Sequence, residues 1–330
     1  MRRVLLILMI GLLTLIKSSP QLAQTQQTPA KPGARVGHCL VYDEQRHKVI
    51  LLDGYQPPNQ PERGELWSWD GKRWELIPGA GPTARSLCGA VYDSRRKTIV
   101  EFGGVGNRGY EDLRADTWEF DRKGWREMTD VSVGSRDHHV MAYDAARGRT
   151  VMYGGQTSTR TWATSTWEWD GARWTRFDVP GPGGRVHFAM VYDSKRKRVV
   201  LFGGFGDDNR YHNDTWEWDG ASWKKLSSEG PEPRARHRMA FDKKAGLIVL
   251  YGGDGVKAQP GQGFRVLDDM WTWDGSHWTQ VKTPGPGKRF MHAMAYDAGR
   301  GKVVLYGGGS GAKSLDDVWE WDGKQWSEIK

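Results

Sequence analysis

Hydrophobic and polar positions alternate along this chain in four short beats that recur. Residues 183–231 show one full cycle. "HFAMVYD" from His187 reads as a mixed apolar strand, and "SKRK" from Ser194 as a charged turn. "RVVLFGG" from Arg198 is almost wholly apolar, as a strand covered on both faces must be. A polar loop follows. "DTWEWD" from Asp214 then alternates with period two, and Asp219-Gly220 turns the chain into "WKKL" from Trp223. The pattern predicts four antiparallel strands, A to D, in one meander.

The cycle occurs six times. Tyr/Phe-Asp pairs fall at 42–43, 92–93, 143–144, 192–193, 241–242 and 296–297. A glycine pair, an aromatic "TWEWDG"-like strand and a closing Trp (74, 125, 174, 223, 278 and 326) follow each of them. One four-stranded sheet cannot bury both faces alone, but six around an axis can. The sequence therefore predicts an all-β chain folded as a six-bladed β-propeller with four antiparallel strands per blade. Most of the 18 tryptophans then belong to the core between blades.

The glycine pair, the aromatic strand and the spaced closing Trp, six times in register, resemble the Kelch-repeat family of propellers, in an exported bacterial style. The resemblance covers residues 35–330, with blades at about 35–82, 83–133, 134–182, 183–231, 232–286 and 287–330. It departs in the first repeat, where Asp53 replaces the first glycine. The chain ends on strand D of the sixth unit, so blades 1 and 6 are expected to pack without sharing a strand.

The ends and the charge add a compartment. "MRR", the apolar run Val4 to Ile16 and the small residue Ala23 read as a secretory signal peptide over 1–23. The run is short of the roughly 20 residues that span a membrane, so no stable membrane span is expected. Residues 24–34 read as a flexible lead-in. The predicted location is secreted or periplasmic. The formal charge of +8 includes Arg2, Arg3 and Lys17; the modest remainder suits an acidic partner and makes no case for nucleic acid. The two cysteines, Cys39 and Cys88, are too few for a disulfide scaffold, and pairing and free thiols both stay open.

Candidate chemistry follows from the loops. The A–B and C–D turns are short and uniform, whereas the B–C segments between glycine pair and Trp run from 10 to 17 residues. Variable loops on a rigid frame select the B–C/D–A face for recognition. An arginine opens every repeat: Arg35, Arg85, Arg136, Arg185, Arg234 and Arg289. Three residues later stand His38, Cys88, His139, Phe188, His237 and His292. The family resemblance implies that this arginine position lies at the funnel mouth of ligand-binding Kelch proteins, where a ring of guanidinium forks suits anions. The competing assignment is a strut that bonds backbone carbonyls or the acid before the Trp motif. The four histidines come from blades 1, 3, 5 and 6, too dispersed for metal bonds of about 2 Å, so no metal and no cofactor are expected. "GDDNRYHND" from Gly206 lacks the spacing of a calcium loop and reads as a solvated loop. The B–C loops set aromatic rings beside cations: Tyr55 with Arg63, Tyr110 with Arg108 and Arg114, Trp162 with Arg160, Tyr211 with Arg210, and Phe264 with Lys257 and Arg265. Flat rings beside cations suit sugars or acidic polymers.

One position breaks the repeat. Strand B of blade 2 carries Glu101 where the other blades carry Leu51, Met152, Leu201, Leu250 and Leu305. A buried carboxylate needs a partner, so Glu101 is either half of a structural Glu–Arg pair or a catalytic acid. Three functions fit these features: an exported, monomeric binding or scaffold propeller for a carbohydrate or protein ligand, a sugar-processing enzyme of the sialic-acid mutarotase type, or a structural envelope protein. The first is the reading adopted. Copper-radical oxidases are set aside because their Tyr–Cys cross-link and copper ligands have no match here.

Overall fold

Six four-stranded antiparallel meanders follow one another along the chain. A computed structural model describes residues 30–56, 64–79, 81–227, 229–256, 264–311 and 313–330. The expected leader, Arg63 and Lys257 lie outside the described residues. Blade 1 comprises Cys39–Asp43, Lys48–Leu52, Leu66–Trp69 and Trp74–Ile77. Blade 2 comprises Gly89–Asp93, Thr98–Phe102, Thr117–Asp121 and Gly124–Glu127. Blade 3 has Val140–Asp144, Arg149–Tyr153, Thr166–Trp169 and Trp174–Phe177; blade 4 has Ala189–Asp193, Arg198–Gly206, Tyr211–Trp218 and Trp223–Ser227. Blade 5 has Arg238–Asp242, Leu247–Tyr251, Met270–Trp273 and Trp278–Val281; blade 6 has Ala293–Asp297, Lys302–Gly309, Ser314–Trp321 and Trp326–Ile329. The A strands are neighbours in a closed ring, blade 1 touching both blade 2 and blade 6. The fold is a six-bladed β-propeller. Among the described residues no helix is long and apolar enough to cross a membrane.

Six apolar clusters hold the ring, one at each junction between neighbouring blades. The B strands supply their centre: Val49 to Leu52, for instance, are fully buried. The tryptophans add direction to this burial. Trp69, Trp169 and Trp218 donate to Glu320, Glu119 and Glu168 on the preceding blade. Trp174, Trp223 and Trp278 donate to Thr117, Thr166 and Thr215 in the same sense. A buried indole N–H needs such an acceptor, and here each acceptor fixes the offset of one blade on the next. Among the described residues, blades 1 and 6 close the ring without an exchanged strand. Their contact rests on packing, on the Trp69–Glu320 bond, and on Arg35 N–H donating to Leu315 O at 3.2 Å.

Each repeat arginine is buried, 0–4% exposed, and all but Arg136 tie three strands of their own blade. In each, Nη1 donates to the carbonyl 18 residues on, at the glycine pair: Asp53, Gly103, Gly154, Gly203, Gly252 and Gly307. Five of the six also grip the acid two residues before the strand C Trp: Glu65, Asp116, Asp214, Asp269 and Asp317. That acid in turn accepts the indole N–H of Trp67, Trp118, Trp216, Trp271 or Trp319. Burial would raise these carboxyls, but the arginine and indole hydrogen bonds outweigh it and hold all five below their usual range. The basic clusters of the opposite face work similarly: Arg96, Arg147, Arg196 and Arg300 each bridge a turn Asp and the strand C Glu of their own blade.

Removing one partner of a buried pair strands the other charge, at a cost of about 3–5 kcal/mol. Arg234→Met is therefore expected to lower the urea midpoint sharply at pH 7. Arg73→Ala, at a side chain 73% exposed, is expected to stay within about 0.5 kcal/mol of the parent. Equal midpoints for the two variants would contradict the strut.

Candidate functional site

Two residues beyond each strut arginine the backbone turns left-handed. The six positions are Gly37, Leu87, His138, His187, Arg236 and Met291, with φ between 52° and 65°. Five are not glycine, and each such residue costs about 1–2 kcal/mol. The compensation is a chain of backbone hydrogen bonds running from blade to blade around the axis. Leu87 N–H donates to Gly37 O, His138 to Leu87, Arg236 to His187, Met291 to Arg236 and Gly37 to Met291, at 2.7–3.0 Å. At about 1 kcal/mol each, these bonds roughly offset the local strain. The turn also separates strand A from a short ladder above it, such as Arg136–Asp137 with Gln156–Thr157 or Arg234–Ala235 with Asp254–Val256. That ladder carries the base of each B–C loop, so the left-handed residue projects at the foot of the loops.

Four of these residues, His138, His187, Arg236 and Met291, line a cavity of about 370 Å³ with Tyr110, Gln156, Trp162, Val186, Phe205, Tyr211 and Ala235. The aromatic wall is continuous: Trp162 packs edge-on to Phe205 at 5.7 Å and Phe205 to Tyr211 at 5.1 Å. The polar groups are held from behind. Tyr211 Oη and Arg236 Nη1 both donate to Asp254 Oδ2, at 2.9 and 2.7 Å. Burial raises the Asp254 carboxyl, against the pull of Arg236 and Tyr211. His138 Nδ1 lies 2.9 Å from Asp137 Oδ1. The His138 and His187 rings meet edge to face, centroids 4.1 Å apart, and burial holds His187 well below the usual imidazole range.

Of the aromatic residues singled out in the sequence, Tyr110, Trp162 and Tyr211 line this cavity. Phe264 borders it, its ring 5.6 Å from the Arg236 guanidinium and packed on Phe290. Tyr55 stands apart on blade 1, half exposed, in a bridge with Val36. The ten ring residues Arg35, Arg85, Arg136, Arg185, Arg234, Arg289, His38, His139, His237 and His292 lie beneath the loop face rather than on it. They are at most 4% exposed. The arginines are committed as struts, and the imidazoles pack edge-on against Tyr306, Phe102, Phe202 and Tyr251 of the preceding blade. Blade 3 is the exception among the struts. Ser165 replaces the acid there, and burial, with Arg176 nearby, lowers Arg136 to about 10. Glu101 lies at the junction of blades 1 and 2, with Arg85 Nε 3.3 Å away.

His138, His187 and Arg236 escaped the sequence reading. The sequence marks them only as one of two positions that vary between the constant Arg and the nearly constant His of every repeat. The six A strands also enclose an axial channel of about 320 Å³, but its walls are mostly the repeated small and aliphatic residues. The loop-face cavity, with its repeat-specific lining, is the candidate site.

A family model describing the Kelch-repeats domain of KLHDC2, KLHL20 and DRC7 matches residues 164–330. No curated protein matches the chain. A solved structure titled "Structure of YjhT" is similar, with a TM-score of 0.73 and 14% identity over 92% of this chain and 99% of that one. At that identity the likeness shows the fold.

Burial holds His38, His139, His187, His237 and His292 neutral in the folded protein, His139 at about 3. The unfolded chain takes up these protons near pH 6.5 and the folded chain does not. Stability is therefore full above about pH 6.5 and falls as pH drops, by about 1.4 kcal/mol per pH unit for each such histidine. His139→Phe, the residue blade 4 uses as Phe188, is expected to flatten the fall in Tm between pH 7 and 5. An unchanged slope would contradict the neutral buried imidazole.

Proposed function

The chain belongs to the Kelch-repeat family, and from that premise we propose that it is an exported binding propeller that takes a carbohydrate, with an acidic substituent against Arg236, in the loop-face cavity. The observation that carries this reading is the convergence of Tyr110, Trp162 and Tyr211, from three different blades, on one cavity with Arg236, Gln156 and two histidines. The volume of about 370 Å³ lies at the small-molecule end of ligand sites. Aromatic faces stack on the apolar faces of a sugar ring, while imidazole, amide and phenol groups bond its hydroxyls. Arg236 spends Nη1 on Asp254, and its side chain, 26% exposed, lines the cavity. Export supplies the setting, since the expected leader directs the chain to the envelope or beyond, where glycans are abundant.

A second reading, turnover of the bound sugar, is favoured by one observation: His138 Nδ1 faces a buried carboxylate, Asp137, at 2.9 Å. The two atoms make no hydrogen bond as they stand; a turn of the ring that closes this contact around a bound sugar would orient the imidazole for proton transfer. Exchange between anomers, followed by NMR on a bound sugar and abolished in His138→Gln with binding intact, would move the protein to the enzymes.

The test of binding is a glycan array of neutral, sialylated and sulfated sugars, followed by calorimetry on the hit. Trp162→Ala is expected to weaken binding by about 1–3 kcal/mol, that is about 5- to 150-fold. Arg236→Gln is expected to shift preference from acidic to neutral glycans, and Tyr55→Ala to change nothing. A specific hit insensitive to Trp162 and Arg236 would place recognition elsewhere, and a blank array would turn the search to protein partners.

A further inference from the structure

The junction of blades 1 and 2 departs from the other five at four places together. Elsewhere strand B ends in an aromatic residue followed by glycine, and a histidine or phenylalanine of the next blade packs on that aromatic. Here the aromatic is Leu52, the glycine is Asp53, the incoming residue is Cys88 and the aliphatic position of strand B is Glu101. The apolar cluster of this junction is the smallest of the six, six buried residues against eight to eleven. At the five glycines equivalent to Asp53 a Cβ would meet the carbonyl of the next blade's arginine at 2.7–3.1 Å. Asp53 therefore sits with a left-handed φ of 56° where the repeat admits only glycine. One substitution of this kind is drift, but four mutually accommodating ones build a polar chamber.

Its contents are unbalanced. Asp53, Cys88 and Glu101 are buried, and one ligand atom from each lies within 4.8 Å of the others. Both Glu101 oxygens and Asp53 Oδ2 are sealed from solvent with no hydrogen-bond donor. Arg85 Nε lies 3.3 Å from Glu101 Oε1, but four of its five N–H groups point elsewhere: Nε donates to Thr83 O, Nη1 to Gly103 O and Asp116, and Nη2 to Asp116. That single guanidinium faces three carboxylates, Glu101, Asp116 and Asp53. Two carboxylates with unused lone pairs and a thiol thus share one small space, which is costly unless a cation fills it. Cys39 flanks them, its Sγ donating to Cys88 O at 3.3 Å. Cys39, Cys88 and Gly89 line the axial channel, which gives a route in.

We propose that Asp53, Cys88 and Glu101 form a metal site for a borderline divalent cation of the zinc type. Two carboxylate oxygens and one thiolate match that class, and its bonds of about 2.0–2.3 Å bring all three together after small side-chain rotations. The ion balances the two carboxylates and stitches blade 1 to blade 2 where apolar packing is thinnest. The site is separate from the loop-face cavity and independent of the sugar reading. It also departs from the sequence expectation of no metal, which weighed the histidines and not this triad.

The probes are zinc and cobalt(II) added to the purified protein after chelation. One equivalent is expected to bind, zinc is expected to raise Tm, and the cobalt form is expected to show a thiolate-to-metal charge-transfer band in the near ultraviolet. Cys88→Ser removes the band. The double change Asp53→Gly with Glu101→Leu restores the residues other blades use, so it folds, and it is expected to weaken binding at least about 100-fold. Failure to bind an equivalent would overturn the site and leave a shared proton between Asp53 and Glu101 as its occupant. Cobalt binding without the thiolate band, or equal binding by the double variant, would overturn the ligand set.

Discussion

Everything above the blades depends on the arginine strut. Its guanidinium joins the entry of strand A, the glycine pair after strand B and the acid before strand C, inside the protein and out of water. Five struts carry their own counter-charge, so each blade mouth is an electrically balanced closure. Once the mouths are fixed, the loops beyond them carry no duty to the fold. They can differ in length and lining from blade to blade, which is the condition for a repeat architecture to build an asymmetric site.

The left-handed turn after each strut converts that stability into presentation. It interrupts strand A, lifts the preceding residues onto a second ladder with the B–C loop, and sets one side chain from each of blades 2 to 6 at the foot of the loops. In blades 3, 4 and 5 those side chains are His138, His187 and Arg236, and the loops of blades 2 to 4 bring Tyr110, Trp162 and Tyr211 to them. Strain and ligand-type chemistry therefore coincide at the same residues, the usual relation between backbone strain and function. The junction of blades 1 and 2 spends its departures differently, inside the core rather than on the face.

The fold was legible because a six-fold repeat multiplies weak signals: one "TWEWDG" is a hairpin, and six in register are a ring. The arginines were legible as an invariant but not as to role, since a strut and a ligand fork use the same residue at the same spacing. The partner acids Asp116, Asp214, Asp269 and Asp317 would have tipped the balance, each two residues before a Trp. The site residues His138, His187 and Arg236 were hidden by backbone geometry. Nothing in "RDHH", "RVHF" or "RARH" announces a left-handed turn, which the sequence leads one to expect at glycine or asparagine. Tyr55 shows the opposite limit, for an aromatic in a loop takes its place from the blade that carries it.

The most direct measurement is the 13C–1H NMR spectrum of the histidine rings during titration with an acidic monosaccharide that the protein binds. If the loop-face cavity is the binding site, the Cε1–H signals of His138 and His187 shift with saturation while those of the buried His139, His237 and His292 stay still. Movement confined to the buried set, or saturable binding with His138 and His187 unmoved, would contradict the account.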